Sequence, residues 1–263
     1  MNFSVDGRQA FAYTAAHALD PAKPTVVFVH GAGYDHSGFA LQSRYFGYHG
    51  RNVLALDLPG HGRSAGPPLP RIGDMAGWVL RLLDAAKLDG ASVVGHSMGS
   101  LVALECAALD AARIKAIALI GMTYPMKVSD ALLSAAKDRP RDAYDMINVW
   151  GHSPQGALGA NPSPGMWMYG DALSRLGRLA PGVLYNDFKA CHEYAGGEAA
   201  ARKLQGPVLF VLGRRDQMTP AKGGAAFAQT VPGARVLQLD TTGHALMAEA
   251  PDAVLDALID FLR

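Results

Sequence analysis

Gly95-His96-Ser97-Met98-Gly99 sets one serine hydroxyl between two glycines. The run Ser92 to Val94 before it reads as a buried strand, and the apolar spacing from Ser100 onward reads as a helix. A strand that reverses into a helix within so short a turn crowds its own backbone, and glycine at both flanks removes the Cβ atoms that would collide. Ser97 would then stand on a strained corner with Oγ exposed at the carboxyl edge of a sheet. The free N–H groups and positive dipole end of the following helix would face a developing alkoxide. The same residues could form a plain helix cap in which Ser97 only satisfies backbone donors, so its partners decide the reading.

A serine hydroxyl needs a general base, and the base needs an acceptor that fixes its tautomer. His244, in Thr241-Thr242-Gly243-His244, lies after a strand and before the last helix, which returns it to the edge where Ser97 sits. Asp216 follows the apolar run Pro207 to Leu212 and reaches the same edge. Asp240 is the alternative acid, close to His244 along the chain but at the end of its own strand. The order serine, aspartate, histidine favours Asp216. His30-Gly31-Ala32-Gly33 ends another apolar run and, with Asp57 closing the next, mimics a dinucleotide fingerprint; the third glycine position, however, is His36. Given Ser97, the loop reads instead as a source of oxyanion donors, Ala32 N–H with Gly33 as a further candidate, joining Met98 N–H. His61 lies in a Pro-Gly turn with no second ligand at useful spacing, so it reads as a structural histidine and no metal site is expected.

These residues need a scaffold of alternating strands and helices. Asp6-Gly7 between Phe3-Ser-Val and Gln9 to Tyr13 signals a hairpin. Apolar runs at Thr25 to His30, Arg51 to Asp57, Ile114 to Ile120, Pro207 to Leu212 and Arg235 to Leu239 read as further strands. Helices are expected from Phe39 to His49, after a cap at Asp74, from Lys222 to Val231, and from Pro251 to Leu262. The pattern is α/β with a mostly parallel sheet.

From Met122 to about Leu204 the β-branched runs disappear, and Ala/Leu/Asp helical stretches flank a loop from Gly151 to Gly165. This segment reads as a helical insertion. Its Met146, Trp150 and Trp167, with Gly33, Tyr34, Met122, Tyr124, Met218, Ala245 and Leu246 near strand ends, are candidates to line an apolar pocket. More than half of the insertion's methionines and aromatics are expected only to bind it to the body. Arg141, Arg175 and Lys189 could pair a substrate carboxylate, though solvated charges on helix faces are far commoner.

With 24 basic and 23 acidic residues the net charge is +1, and no Lys/Arg cluster is present. Neither nucleic acid nor an acidic membrane surface has an electrostatic claim, and the expected partner is a small molecule. Two cysteines are too few for a disulfide scaffold. Cys106 reads as a buried structural residue, and Cys191 is more open. No basic start followed by an apolar stretch and no run of membrane-spanning length occurs, which gives a cytoplasmic expectation.

Five motifs in order, His30-Gly-Ala-Gly33, Asp57-Leu-Pro-Gly-His-Gly-Arg-Ser64, Gly95-His-Ser-Met-Gly99, Gly213-Arg-Arg-Asp216 with Pro220, and Gly243-His244 with Glu249-Ala-Pro251, resemble the alpha/beta-hydrolase superfamily across nearly the whole chain. The resemblance implies an eight-stranded, mostly parallel sheet with helices on both faces, a core of residues 1–122 and 205–263, and a cap formed by 123–204. It also implies acyl transfer through Ser97, Asp216 and His244 with no metal or cofactor, and cleavage of a carboxylic ester, lactone or thioester; the methionines and aromatics of the insertion add the expectation of an apolar acyl or aryl group of small to medium size. Dehalogenases and epoxide hydrolases of this fold carry aspartate at the Ser97 position and are disfavoured. Carbon–carbon hydrolases of dienoate ring-fission products keep the serine but usually place Trp where this chain has Ala245. They remain an alternative, as do perhydrolases and a receptor that binds without turnover.

Overall fold

Strands β1 (Asn2–Val5), β2 (Arg8–Tyr13), β3 (Thr25–Val29), β4 (Asn52–Leu56), β5 (Ala91–His96), β6 (Ile114–Ile120), β7 (Val208–Gly213) and β8 (Arg235–Leu239) form one sheet. A computed structural model describes residues 1–159 and 166–263. The strand order is β1-β2-β4-β3-β5-β6-β7-β8. β1 and β2 pair antiparallel through a turn in which Asp6 and Gly7 take φ of 52° and 73°, the twist a two-residue hairpin requires. β2 meets β4 antiparallel, and every later neighbour is parallel. The eight-stranded, mostly parallel sheet expected from the sequence is the one observed.

The central strands are buried on both faces because helices cover both. β3, β4 and β7 are buried at every position, whereas edge strand β8 is largely exposed. The helices of the main body are α1 (Ala40–Tyr48), α2 (Ile72–Ala85), α3 (Met98–Leu109), α10 (Ala221–Ala228), α11 (Leu246–Glu249) and α12 (Pro251–Phe261). α3 is apolar around nearly its whole girth, since it lies between the sheet, α2 and a helix of the insertion. Leu101, Val102 and Leu104 on it are fully buried, each stabilising the fold by about 1.5–3 kcal/mol. Asp74 is not the cap expected of it. Ile72 is buried and starts α2, so Asp74 falls in the first turn, where it receives the Arg71 guanidinium at 2.8 Å.

Between β6 and β7 the described residues form only helices: α4 (Asp130–Asp138), α5 (Pro140–Gly151), α6 (Pro154–Ala157), α7 (Met168–Leu176), α8 (Val183–Glu193) and α9 (Gly197–Ala201). The loop expected from Gly151 to Gly165 is thus partly the short helix α6; its residues 160–165 lie outside the described residues. Leu132, Ala135, Ala143, Ile147, Leu176, Leu184 and Phe188 make a small core of their own. Ala190, Cys191, Ala200 and Ala201 join the main-body core instead, so α8 and α9 anchor this layer. No helix among the described residues is long and apolar enough to cross a membrane.

Candidate functional site

Parallel strands share a carboxyl edge, and one register row, Val29 beside Gly95, Gly95 beside Leu119 and Leu119 beside Phe210, brings the loops after β3, β5, β6 and β7 to the same place. Ser97 occupies the turn after β5 with φ 52° and ψ −118°, a region that a non-glycine residue enters only when its surroundings over-determine it. Here Ser97 N–H donates to Ile120 O at 2.9 Å and Ser97 O accepts from Ser100 N–H at 2.8 Å. The flanking glycines are required by close backbone approach. A Cβ on Gly95 would lie 2.0 Å from Gly99 O, and one on Gly99 would lie 2.1 Å from Val29 O.

His244 Nδ1 lies 2.7 Å from Asp216 Oδ2. The carboxylate also accepts from the N–H groups of Met218 and Thr219, each at 2.8 Å, and from Thr219 Oγ1 at 2.7 Å. Burial pushes the Asp216 carboxyl up, but the His244 ring and these hydrogen bonds outweigh it, so its pKa is held below the usual range. The alternative acid, Asp240, points elsewhere: its exposed carboxylate meets Arg214 at 3.1 Å.

The loop after β3 is pinned on both sides of Ala32. Leu58 N–H donates to His30 Nε2 at 3.1 Å, which leaves the proton on Nδ1 to donate to Gly31 O at 2.9 Å. Tyr34 N–H donates to the same oxygen at 3.1 Å. A trans peptide is planar, with C=O and N–H antiparallel; fixing Gly31 O therefore fixes the direction of Ala32 N–H. Among the described residues neither Ala32 N–H nor Met98 N–H has a protein acceptor. Gly33 N–H, the further candidate donor, is engaged by Asp187 Oδ2 at 2.9 Å and is not free to receive an oxyanion.

Two neutral histidines pack beneath this machinery. His96 Nε2 donates to His244 O at 2.9 Å, holding the backbone of that loop. Burial, and then the neighbouring His244, lower the His96 pKa to about 3. Burial and His61 lower His30 to about 4. Both must gain a proton when the chain unfolds in mild acid, because a free imidazole titrates near 6.5. Depressed folded values mean that this stability is complete above about pH 6.5 and drains as pH falls toward the folded values, by about 1.4 kcal/mol per pH unit for each group at most. The thermal midpoint is therefore expected to drop steadily between pH 6.5 and 4, and less steeply in His96→Asn. A flat midpoint over that window would refute the two buried neutral rings.

A cavity of about 290 Å³ opens above Ser97, lined by Ala32, Met126, Val128, Leu132, Trp150, Phe188, Cys191, Gln217, Met218 and Thr219 among others. A smaller cavity of about 30 Å³ joins Ser97 to His244, Tyr34, Ala245 and Met218. Of the residues read as pocket-forming, Tyr34, Trp150, Met218 and Ala245 are thus at these walls. The others need correction. Met122 and Leu246 are fully buried in the main-body core; Tyr124 packs its ring 5.0 Å from Phe227. Met146 packs into the small helical core, and Gly33 faces Leu176, Leu179 and Leu184. Trp167 is 70% exposed. The sequence reading missed the stretch Met126 to Leu132, although it follows β6 at the very edge where Ser97 sits. Cys191, buried in the wall, has its thiol pushed up by burial and is not primed as a nucleophile. Arg175 and Lys189 pair with Asp171 and Glu193, and Arg141 is exposed.

A dihydrolipoyllysine-residue acetyltransferase component of the acetoin cleaving system from Pseudomonas putida is 30% identical over 249 residues, covering 90% of this chain, which spans only 63% of that relative's length. A pimeloyl-[acyl-carrier protein] methyl ester esterase from Chromobacterium violaceum is 31% identical over 257 residues, 91% of this chain and 94% of the relative. The crystal structure of the enol-lactonase from Burkholderia xenovorans LB400 superposes with a TM-score of 0.88 at 23% identity, covering 100% of this chain and 99% of that one. Residues 24–251 match the family model described as the alpha/beta hydrolase fold, and the chain belongs to that family.

Proposed function

We propose that the protein is a serine hydrolase that cleaves a carboxylic ester, or a related lactone or thioester, bearing an apolar acyl or aryl group of small to medium size. The observation that carries this reading is the strained Ser97 sharing a cavity with a histidine that Asp216 holds at 2.7 Å. In the mechanism, His244 Nε2 takes the Ser97 proton as Oγ attacks the carbonyl carbon, and Asp216 stabilises the imidazolium. The N–H groups of Ala32 and Met98 receive the oxyanion. His244 then protonates the leaving oxygen or sulfur, and a water activated by the same base releases the acid and restores Ser97. No step calls for a metal or cofactor.

The layer 123–204 acts as a cap: Met126, Val128, Leu132, Trp150 and Phe188 supply the apolar roof over Ser97. An acyl or aryl group fits such apolar walls; the charged side chain among the lining residues, Lys127, is exposed and donates from Nζ to His192 O at 2.8 Å. The esterase relative, matched over nearly its full length, supports ester chemistry. A burst experiment with an activated aryl acetate tests the reading. Wild type is expected to release one equivalent quickly and then turn over, and Ser97→Ala to lose both phases; turnover surviving in Ser97→Ala would overturn the assignment.

A further inference from the structure

The oxyanion loop and the helical layer above it are joined by one buried carboxylate. Asp187, on α8, is fully buried, and its Oδ2 accepts from Gly33 N–H at 2.9 Å and from His61 Nε2 at 2.8 Å. His61 is itself buried, and its other nitrogen faces Pro59 O at 3.1 Å. With an acceptor at each nitrogen the ring carries both protons. Asp187 and His61 therefore form a buried ion pair whose acid comes from the helical layer and whose base comes from the turn after β4. Burial alone would lower the His61 pKa, but the Asp187 charge and hydrogen bond reverse it, and the net is upward. A buried pair of this kind is weak evidence for stability. Its placement suggests a different use.

Gly33 N–H belongs to the peptide that follows Ala32, as Gly31 C=O belongs to the peptide that precedes Ala32 N–H. The Gly31 side is pinned from within the main body by His30 and Tyr34. Among the described residues the Gly33 side is pinned only by Asp187, a residue 154 positions further along the chain. Resting on the serine-hydrolase reading, we propose that Asp187 is a positioning residue for the oxyanion hole: by holding Gly33 N–H it keeps Ala32 N–H aimed over Ser97, so that the helical layer completes the hole as well as roofing it. His61 keeps the carboxylate charged and oriented for that task. The loop then has one anchor from the main body, at Gly31 O, and a second from α8, at Gly33 N–H, on the far side of Ala32.

The test compares Asp187→Ala, Asp187→Asn and Ser97→Ala with an activated aryl acetate, reading kcat and KM separately beside far-UV circular dichroism and thermal melting. Asp187→Ala frees Gly33 N–H and is expected to lower kcat about 10–100-fold, somewhat less than deleting a donor outright, with KM within about threefold. Asp187→Asn keeps an oxygen for Gly33 N–H and is expected to recover kcat to within about fivefold of wild type, even where its melting temperature falls because the ion pair is lost. If Asp187→Ala does not fold, Asp187→Thr, which is too short to reach Gly33 N–H, takes its place with the same expected split. Unchanged kcat in the folded Ala or Thr variant, a change confined to KM, or an Asn variant as slow as Ala overturns the proposal. Ser97→Ala separates the two readings: if it is inactive while Asp187→Ala runs at wild-type kcat, only the role of Asp187 falls, whereas turnover in Ser97→Ala sinks the nucleophile assignment itself.

Discussion

Asp216→Asn is expected to lower kcat by about 10³–10⁴-fold and to leave a folded protein. The substituted amide keeps an oxygen that can accept the N–H groups of Met218 and Thr219, so the loop retains its anchor. Its nitrogen, however, would face His244 Nδ1 across the present 2.7 Å contact. An amide NH₂ can only donate there, so Nδ1 must become the acceptor and the imidazole proton moves to Nε2. That is the nitrogen required to take the Ser97 proton, and it then has no lone pair to do so. The loss falls on kcat, since the cavity walls are untouched. Asp240→Asn is the matched control: that carboxylate is exposed and bound to Arg214, and kcat is expected within about twofold of wild type. A reversed outcome, with Asp240→Asn inactive and Asp216→Asn normal, would transfer the acid to Asp240.

The second large effect is structural. Gly95→Ala and Gly99→Ala add a single methyl group each, at points where the surrounding atoms are backbone. The nearest neighbours of the added carbon would be Gly99 O at 2.0 Å in the first case and Val29 O at 2.1 Å in the second. No rotamer change relieves either collision; β3, β5 and α3 would have to separate along the most buried part of the molecule. Overpacking in a tight core costs about 1–3 kcal/mol where side chains can yield, and at these sites the loss should reach or exceed the upper end. Gly73→Ala provides the contrast, because no atom lies within 4 Å of its added Cβ and the residue is in the first turn of α2. There a gain of about 0.5–1 kcal/mol is expected. Urea denaturation of the three variants checks both signs, and a Gly99→Ala protein as stable as wild type would refute the tight approach of Gly99 to Val29 O.

The parts of this site that were legible in the sequence are local ones. The Ser97 turn announces itself because the strand, two glycines and the helix lie within a few residues. His244 and Asp216 could be placed because strand ends in a parallel sheet share an edge, so sequence position fixes location even without contact. The central strands were readable because a strand buried on both faces must be an apolar run, and β1 and β2 because Asp6-Gly7 marks the turn between them. Asp187 was not readable. Its partners are 154 and 126 positions away, and one aspartate among helical neighbours has no local mark. Glu249 stood in the last of the motifs, but one of its contacts was hidden: besides Gly243 N–H at 3.0 Å it accepts from Ser153 N–H, 96 positions distant, at 3.1 Å. Only part of the pocket reading, Tyr34, Trp150, Met218 and Ala245, falls at cavity walls, because apolar type alone does not separate a wall from a core. Met122 and Leu246 are as apolar as Met126 and Leu132, and only the fold decides which of them face a void.

The left-handed backbone at Ser97 sets folding and chemistry against each other at one position. Glycine would adopt φ 52° without the penalty of about 1–3 kcal/mol that other residues bear there; serine alone of the two brings an oxygen. On the proposed serine-hydrolase reading, mutational drift filtered only for a folded chain would thus favour loss of the nucleophile, with thermal robustness and turnover in trade-off at residue 97. The hydrogen bonds to Ile120 and Ser100 and the burial of α3 hold the less comfortable residue in place.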